Sequence, residues 1–294
     1  MEPFKVHILG CGSALPTKNH CPSSQVVEVR GKMFMVDCGE GVQLSLRRRH
    51  ISFNRIQCVF ISHLHGDHCF GLLGMLSTFG LLGRTAPIHV YAPGEYESML
   101  NAQLGMFCAG MDYEVVFHGV ETTLHQVIYE DKSLTVESIP LEHRIKCCGF
   151  LFREKPTLPH IDREMVDFYH IPQHQFNNIK MGADGIAPDG EVVPRSYAYC
   201  SDTKYMPRLH ELLEGVNLLY HESTYDKRDI DRATKYNHST GEQAAMVARD
   251  AHVGHLLLGH YSARYEDEQV ILQEAQAIFP NAELSNEGHS YEVK

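Results

Sequence analysis

Four residues able to hold a metal ion fall within six positions, His63-x-His65-x-Asp67-His68. Imidazole and carboxylate without thiolate form a donor set that suits zinc and also admits manganese or iron. Gly66 inside the run permits a tight turn. The four side chains can then converge on two ions about 3.5–4 Å apart. Such a pair needs more donors than one turn supplies, and the sequence offers them singly. His143, Asp202 and His260 each stand just past a short apolar run. A paired-cation site forms a water nucleophile near neutral pH, suited to in-line attack on phosphorus, and neutralises charge growing on phosphoryl oxygens.

These residues need strands to aim them. The apolar run 56–61 reads as a strand feeding the cluster, and 134–139, 197–200 and 256–259 read as strands ahead of His143, Asp202 and His260. Further strands are predicted at 4–9, 25–29, 33–36, 88–92, 113–117, 149–152 and 218–220. Helices are predicted at 42–50, 71–82, 95–104, 207–213, 241–250 and 267–278. Ser239-Thr240-Gly241-Glu242 reads as a capping box opening the helix at Gly241. His238 then sits at a helix entrance, where the dipole disfavours imidazolium; a carboxylate such as Glu222 would restore its proton affinity. Residues 154–195 break this rhythm, with five prolines and few apolar runs. They read as an insertion on a single domain spanning 1–294.

Composition narrows the class. Of 294 residues, 43% are hydrophobic and 21% charged, which excludes a disordered or fibrous chain. Twenty histidines raise the expectation of a metal site. A formal charge of −11 excludes a uniformly basic nucleic-acid coat but leaves room for a local patch such as Arg47-Arg48-Arg49. Nine cysteines without C-x-x-C argue against a disulfide framework or zinc ribbon and for a reducing cytoplasm. Cys69 reads as a small buried hydrophobe. The N-terminus lacks a signal-peptide pattern, and no apolar run is long enough to cross a membrane. Gly10-x-Gly12 lacks the helix start of a dinucleotide fingerprint, since Leu15 and Pro16 follow. His221-Glu222 is no metalloprotease motif, because Tyr225 stands where a second histidine is required.

The full set, His-x-His-x-Asp-His with later His143, Asp202 and His260, resembles the metallo-β-lactamase superfamily, and more narrowly its ribonuclease Z family. The narrower likeness rests on Leu9-Gly10-Cys11-Gly12-Ser13-Ala14-Leu15-Pro16-Thr17 and Val36-Asp37-Cys38-Gly39-Glu40-Gly41. It rests also on Ser201-Asp202-Thr203, His221-Glu222-Ser223-Thr224, His238-Ser239-Thr240 and His260-Tyr261-Ser262-Ala263-Arg264-Tyr265. The resemblance implies an α/β fold, a four-layer αββα sandwich, with two zinc ions at one edge. One zinc would take His63, His65 and His143; the other Asp67, His68 and His260, with Asp202 bridging. Asp67 would be the general base or orient the water, and His238 with Glu222 would protonate the leaving oxygen. Asp37 would fix the metal loop, and Arg264 would steady a phosphate.

The implied activity is removal of the 3′ trailer from precursor tRNA by a cytoplasmic homodimer. The alternative on the same core is a small-molecule phosphodiesterase, for example on cyclic nucleotides. One departure stands out. Family members of this length carry an arm with a Gly-Pro motif and basic residues that grip the tRNA elbow from the partner subunit. Here the stretch from Ile171-Pro172 to Lys180 lacks Gly-Pro, and residues 151–195 hold five Lys/Arg against seven Asp/Glu. Phosphate affinity comes from cations, so the arm reads as an altered exosite and Arg47-Arg48-Arg49 as its compensation.

Overall fold

A computed structural model describes residues 3–156, 163–176 and 194–294. The first sheet is built from β1 (Phe4–Gly10), β2 (Ser24–Val29), β3 (Lys32–Cys38), β4 (Ile56–Phe60), β5 (Ile88–Pro93) and β6 (Val115–Val120). The second holds β7 (Gln126–Glu130), β8 (Leu134–Pro140), β9 (Cys148–Glu154), β10 (Ser196–Cys200), β11 (Leu218–Glu222), β12 (His255–Gly259) and β13 (Ala282–Leu284). A last strand, β14 (Ser290–Glu292), returns to the first sheet beside β1. The orders are β14-β1-β2-β3-β4-β5-β6 and β13-β12-β11-β10-β9-β8-β7. Both sheets are mixed: β3 to β6 are parallel in one, and β10 to β13 in the other.

Alternation along the strands sorts side chains between layers. Phe34 and Val36 of β3 and Phe60 of β4 enter the core between the sheets, where they meet Phe150, Phe152 and Tyr197. Met33 and Met35 of β3 and Val59 of β4 face the other way, onto α1 (Val42–Arg48) and α3 (Leu72–Leu81). On the far side, Ala244, Ala245, Val247 and Ala248 of α8 (Gly241–Asp250) pack on the second sheet with Ile271 and Ala275 of α9 (Gln269–Gln276). A Cβ at Gly241 would lie 2.5 Å from the Ile271 side chain, so glycine lets these two helices close. The result is the four-layer αββα sandwich.

Among the described residues the remaining α-helices are α2 (Gly66–Cys69), α4 (Glu97–Phe107), α5 (Arg163–Phe168), α6 (Leu209–Leu213) and α7 (Ile230–Tyr236). The tight turn at Gly66 is the opening of α2, behind an N-cap at His65 and without a positive φ. One local reading is corrected. The capping box of α8 is Thr240 with Gln243, not Ser239 with Glu242, because Thr240 is the residue in extended backbone at the N-cap. Of the stretch 154–195, residues 157–162 and 177–193 lie outside those described, and the expectation of an altered exosite there falls largely on them. Its two ends are joined: Arg195 donates to both Glu154 oxygens at 2.9 Å, and Arg30 donates to the same buried carboxylate. Among the described residues, no helix is long and apolar enough to cross a membrane.

Candidate metal centre

Each donor sits where a strand ends. β4 runs into His63, His65, Asp67 and His68, β8 leads to His143, β10 to Asp202 and β12 to His260. The carboxyl ends of parallel strands are the usual place for ligands in such sheets. Two sets of donor atoms result, His63, His65, His143 and Asp202 in one, and Asp67, His68 and His260 in the other, each within 4.8 Å. Asp202 joins them. Its Oδ2 lies 3.6 Å from Nε2 of both His63 and His143, while Oδ1 lies 3.3 Å from His68 Nε2 and 3.0 Å from His260 Nε2.

The opposite nitrogens are held by the protein. His68 Nδ1 donates to Asp37 Oδ2 at 2.7 Å, His143 Nδ1 to the Asn237 carbonyl at 2.8 Å, and His260 Nδ1 to Thr224 Oγ1 at 2.8 Å. His63 Nδ1 donates to Ser62 Oγ at 3.0 Å, whose own proton goes to Asp37. Each ring is thereby fixed in the tautomer that turns a bare Nε2 inward. Nε2 of His68, His143 and His260 are buried and make no hydrogen bond. An orphaned buried polar atom costs about 1–3 kcal/mol. Three in one spot, beside two carboxylates, fit a site made for cations.

Electrostatics sort the donors. Burial, with His63 and His143 nearby, pushes His65 down to about 4, and burial pushes His143 down to about 4 despite Asp202. Both rings are thereby neutral near pH 7, the form in which an imidazole can bind a metal ion. Burial opposes charge on Asp67 and Asp202, yet the neighbouring imidazoles, His68 and His260 among them, hold both carboxyls well below the usual range. Burial likewise opposes charge on His68, but Asp202, Asp37 and Asp67 outweigh it and raise that ring well above its ordinary value, so a cation would have to displace its proton.

Asp37 is buried at φ 52°, a left-handed conformation that disfavours ordinary side chains. Its oxygens accept from Ser62 N, Ser62 Oγ, His68 Nδ1 and Tyr199 Oη, all at 2.7–2.8 Å. His260 is likewise left-handed, at φ 61°. Glu222 Oε1 lies 2.8 Å from His238 Nδ1, and Oε2 accepts from Thr224 Oγ1 at 2.6 Å. Burial alone would lower His238; the Glu222 charge and hydrogen bond outweigh it and raise the ring to about 9. Arg264 lines the cleft over the site, about 640 Å³, with Asp67, His238, Arg144, Tyr225 and Tyr236. Of the basic cluster, Arg47 and Arg48 are exposed and Arg49 donates to Ser290.

Ser62, Tyr199, Thr224 and the Asn237 carbonyl went unforeseen as supports. Thr224 carries a signal, standing two residues after Glu222; the others touch the site only through tertiary packing.

Ribonuclease Z of Bacteroides fragilis (strain YCH46) is 52% identical over 298 residues, covering 98% of both chains. That of Phocaeicola vulgatus is 53% identical, covering 98% of this chain and 96% of the relative. The chain belongs to the ribonuclease Z family. The family model described as anti-Pycsar protein Apyc1 also matches, over residues 4–279, and places the chain in that family as well. The ribonuclease Z fold is seen again in the human short-form tRNase Z, which superposes with a TM-score of 0.74 at 23% identity and covers 99% of each chain.

Proposed function

We propose that this chain is a zinc-dependent endoribonuclease that removes the 3′ trailer of precursor tRNA. Identity above one half with ribonuclease Z along nearly the whole chain carries the reading. The complete, inward-facing donor set supports it. The same full-length identity does not favour the small-molecule phosphodiesterase alternative. In this reading His63, His65 and His143 would hold one zinc ion and Asp67, His68 and His260 the other, with Asp202 available to both. The pair, when bound, lowers the pKa of water and offsets negative charge on the phosphoryl oxygens.

The chain's own groups do the rest. Asp67, kept ionised, accepts a proton from the attacking water and orients it. Asp37 and Ser62 hold the ligand loop so that this geometry persists. Arg264, at the cleft wall, pairs with a phosphate oxygen and keeps the ester seated. His238, protonated at neutral pH, gives its proton to the leaving 3′ oxygen. Glu222 occupies Nδ1, so Nε2 is the atom that gives it up. General acids of this kind contribute about 10²–10⁴-fold.

The reading places the enzyme in the cytoplasm as a homodimer, one domain per chain with 154–195 as an insertion. The decisive experiment is cleavage of a precursor tRNA with and without chelator, mapping the cut. A cut at the 3′ end of the acceptor stem that chelator abolishes is expected. Intact precursor with zinc-loaded protein at low salt overturns the proposal.

A further inference from the structure

Phe70 stands two residues beyond His68 and is 74% exposed, while its neighbours Cys69 and Leu72 are buried. The short helix α2 thus sends one large apolar side chain outward. A single exposed apolar residue is ordinary on a protein surface, but this one lines the cleft over the donor set, beside His65, Gly66 and Asp67. The ring is also braced. A Cβ built on Gly66 would lie 2.3 Å from Phe70 Cε2 and 2.5 Å from Cζ, so the ring rests on bare backbone that only glycine provides. The backbone N–H of Phe70 donates to the Gly66 carbonyl at 2.9 Å, tying the two ends of the turn. An aromatic plate is therefore fixed at the rim, within the very turn that supplies four donors.

Arg144 and Arg264 line the same cleft. A cleft that holds both cations and an aromatic ring matches a single-stranded polynucleotide, whose phosphates want cations and whose bases want a face to stack on. We infer that Phe70 is a positioning residue for RNA, stacking on an unpaired base next to the scissile phosphate and setting which linkage lies over the donors. This rests on the proposed function and deepens it, by adding recognition of a base to recognition of the phosphate.

The test is a cycle between protein and substrate. Zinc-loaded wild type, Phe70→Ala, Phe70→Leu and Phe70→Trp are each given a precursor tRNA and versions with an abasic nucleotide directly 5′ or 3′ of the cut. KM and the cut position are read. Loss of one stacked base is expected to raise KM about 10- to 100-fold. Phe70→Ala and one of the abasic substrates should each show that rise and blur the cut position. Combined, they should show no further rise, and Phe70→Trp should restore KM where Phe70→Leu does not. Losses that multiply in full at both abasic positions, or rescue by leucine equal to that by tryptophan, overturn the role of Phe70. A wild type that cuts no precursor overturns the function on which it rests, a result told apart by wild type alone.

Discussion

Glu222 and His238 form a 2.8 Å pair whose carboxylate is fully buried, and the second Glu222 oxygen reaches His260 through Thr224. One buried carboxylate therefore touches His238 directly and His260 through a single hydroxyl. Glu222→Gln and His238→Ala are expected to lower kcat for precursor cleavage about 10²–10⁴-fold. An ester with a p-nitrophenolate leaving group needs no proton, so His238→Ala should lose far less on it. Equal losses on both substrates would remove His238 from the role of acid.

Asp37 accepts four hydrogen bonds and holds the His68 ring. Asp37→Ala strips partners from Ser62, His68 and Tyr199, each at about 1–3 kcal/mol. It should lower Tm and weaken metal affinity about 10- to 100-fold. Zinc titration against a competing chelator reads the second effect, and unchanged affinity would reduce Asp37 to a packing role.

Metal removal should also register in stability. An ion that binds only the folded chain raises Tm, and three orphaned imidazole nitrogens give it a partner role to fill. Dialysis against chelator should lower Tm and abolish cleavage, with zinc restoring both. A chelated protein of unaltered Tm contradicts the donor assignment.

His20 lies between two carboxylates, with Glu287 Oε2 at 2.8 Å from Nδ1 and Glu268 Oε1 at 3.1 Å from Nε2. The Glu287 hydrogen bond outweighs burial and raises the ring above its ordinary value, while Glu287 is lowered, with burial opposed by the His20 hydrogen bond and charge. A raised histidine gives stability that is full below its unfolded pKa, about 6.5, and lost as pH rises through the folded value. The lowered Glu287 loses its share only as pH falls through its own folded value. Thermal melts of wild type and His20→Gln should therefore differ most below about pH 6.5 and converge as pH rises through the folded value. A gap that widens with rising pH contradicts the pairing.

Phosphate contacts make nucleic-acid affinity fall with salt. With a net charge of −11, the chain must gather its cations locally. Precursor cleavage at subsaturating concentration should fall steeply with added salt, and Arg48→Glu should flatten the slope by about one contact. An unaltered slope takes the Arg47-Arg48-Arg49 cluster out of the interface.

The strands that carry the donors were legible because they are buried and apolar. The run 56–61 became β4 at Ile56–Phe60, and 256–259 became β12 at His255–Gly259. β7 escaped because it is a sheet edge with largely exposed side chains, and β13 and β14 because three residues carry no periodicity. Helix α7 carries no apolar stripe in its sequence: Asp231, Arg232 and Lys235 break it up, and Ala233 alone is buried. In the site, the four donors in six positions announced themselves by density, and the single donors by following strands. The supports did not, since Tyr199 meets Asp37, and Asn237 meets His143, only after the sheets and helices have packed.

The donors come almost equally from both sheets: His63, His65, Asp67 and His68 from the first, His143, Asp202 and His260 from the second. During folding, the first sheet alone can offer an ion only the early cluster. The full complement exists once the second sheet has docked, more than a hundred residues later in the chain. The grouping of donors is thus a record of correct assembly: a chain whose halves have met in the wrong register keeps its histidines but does not bring the seven side chains together.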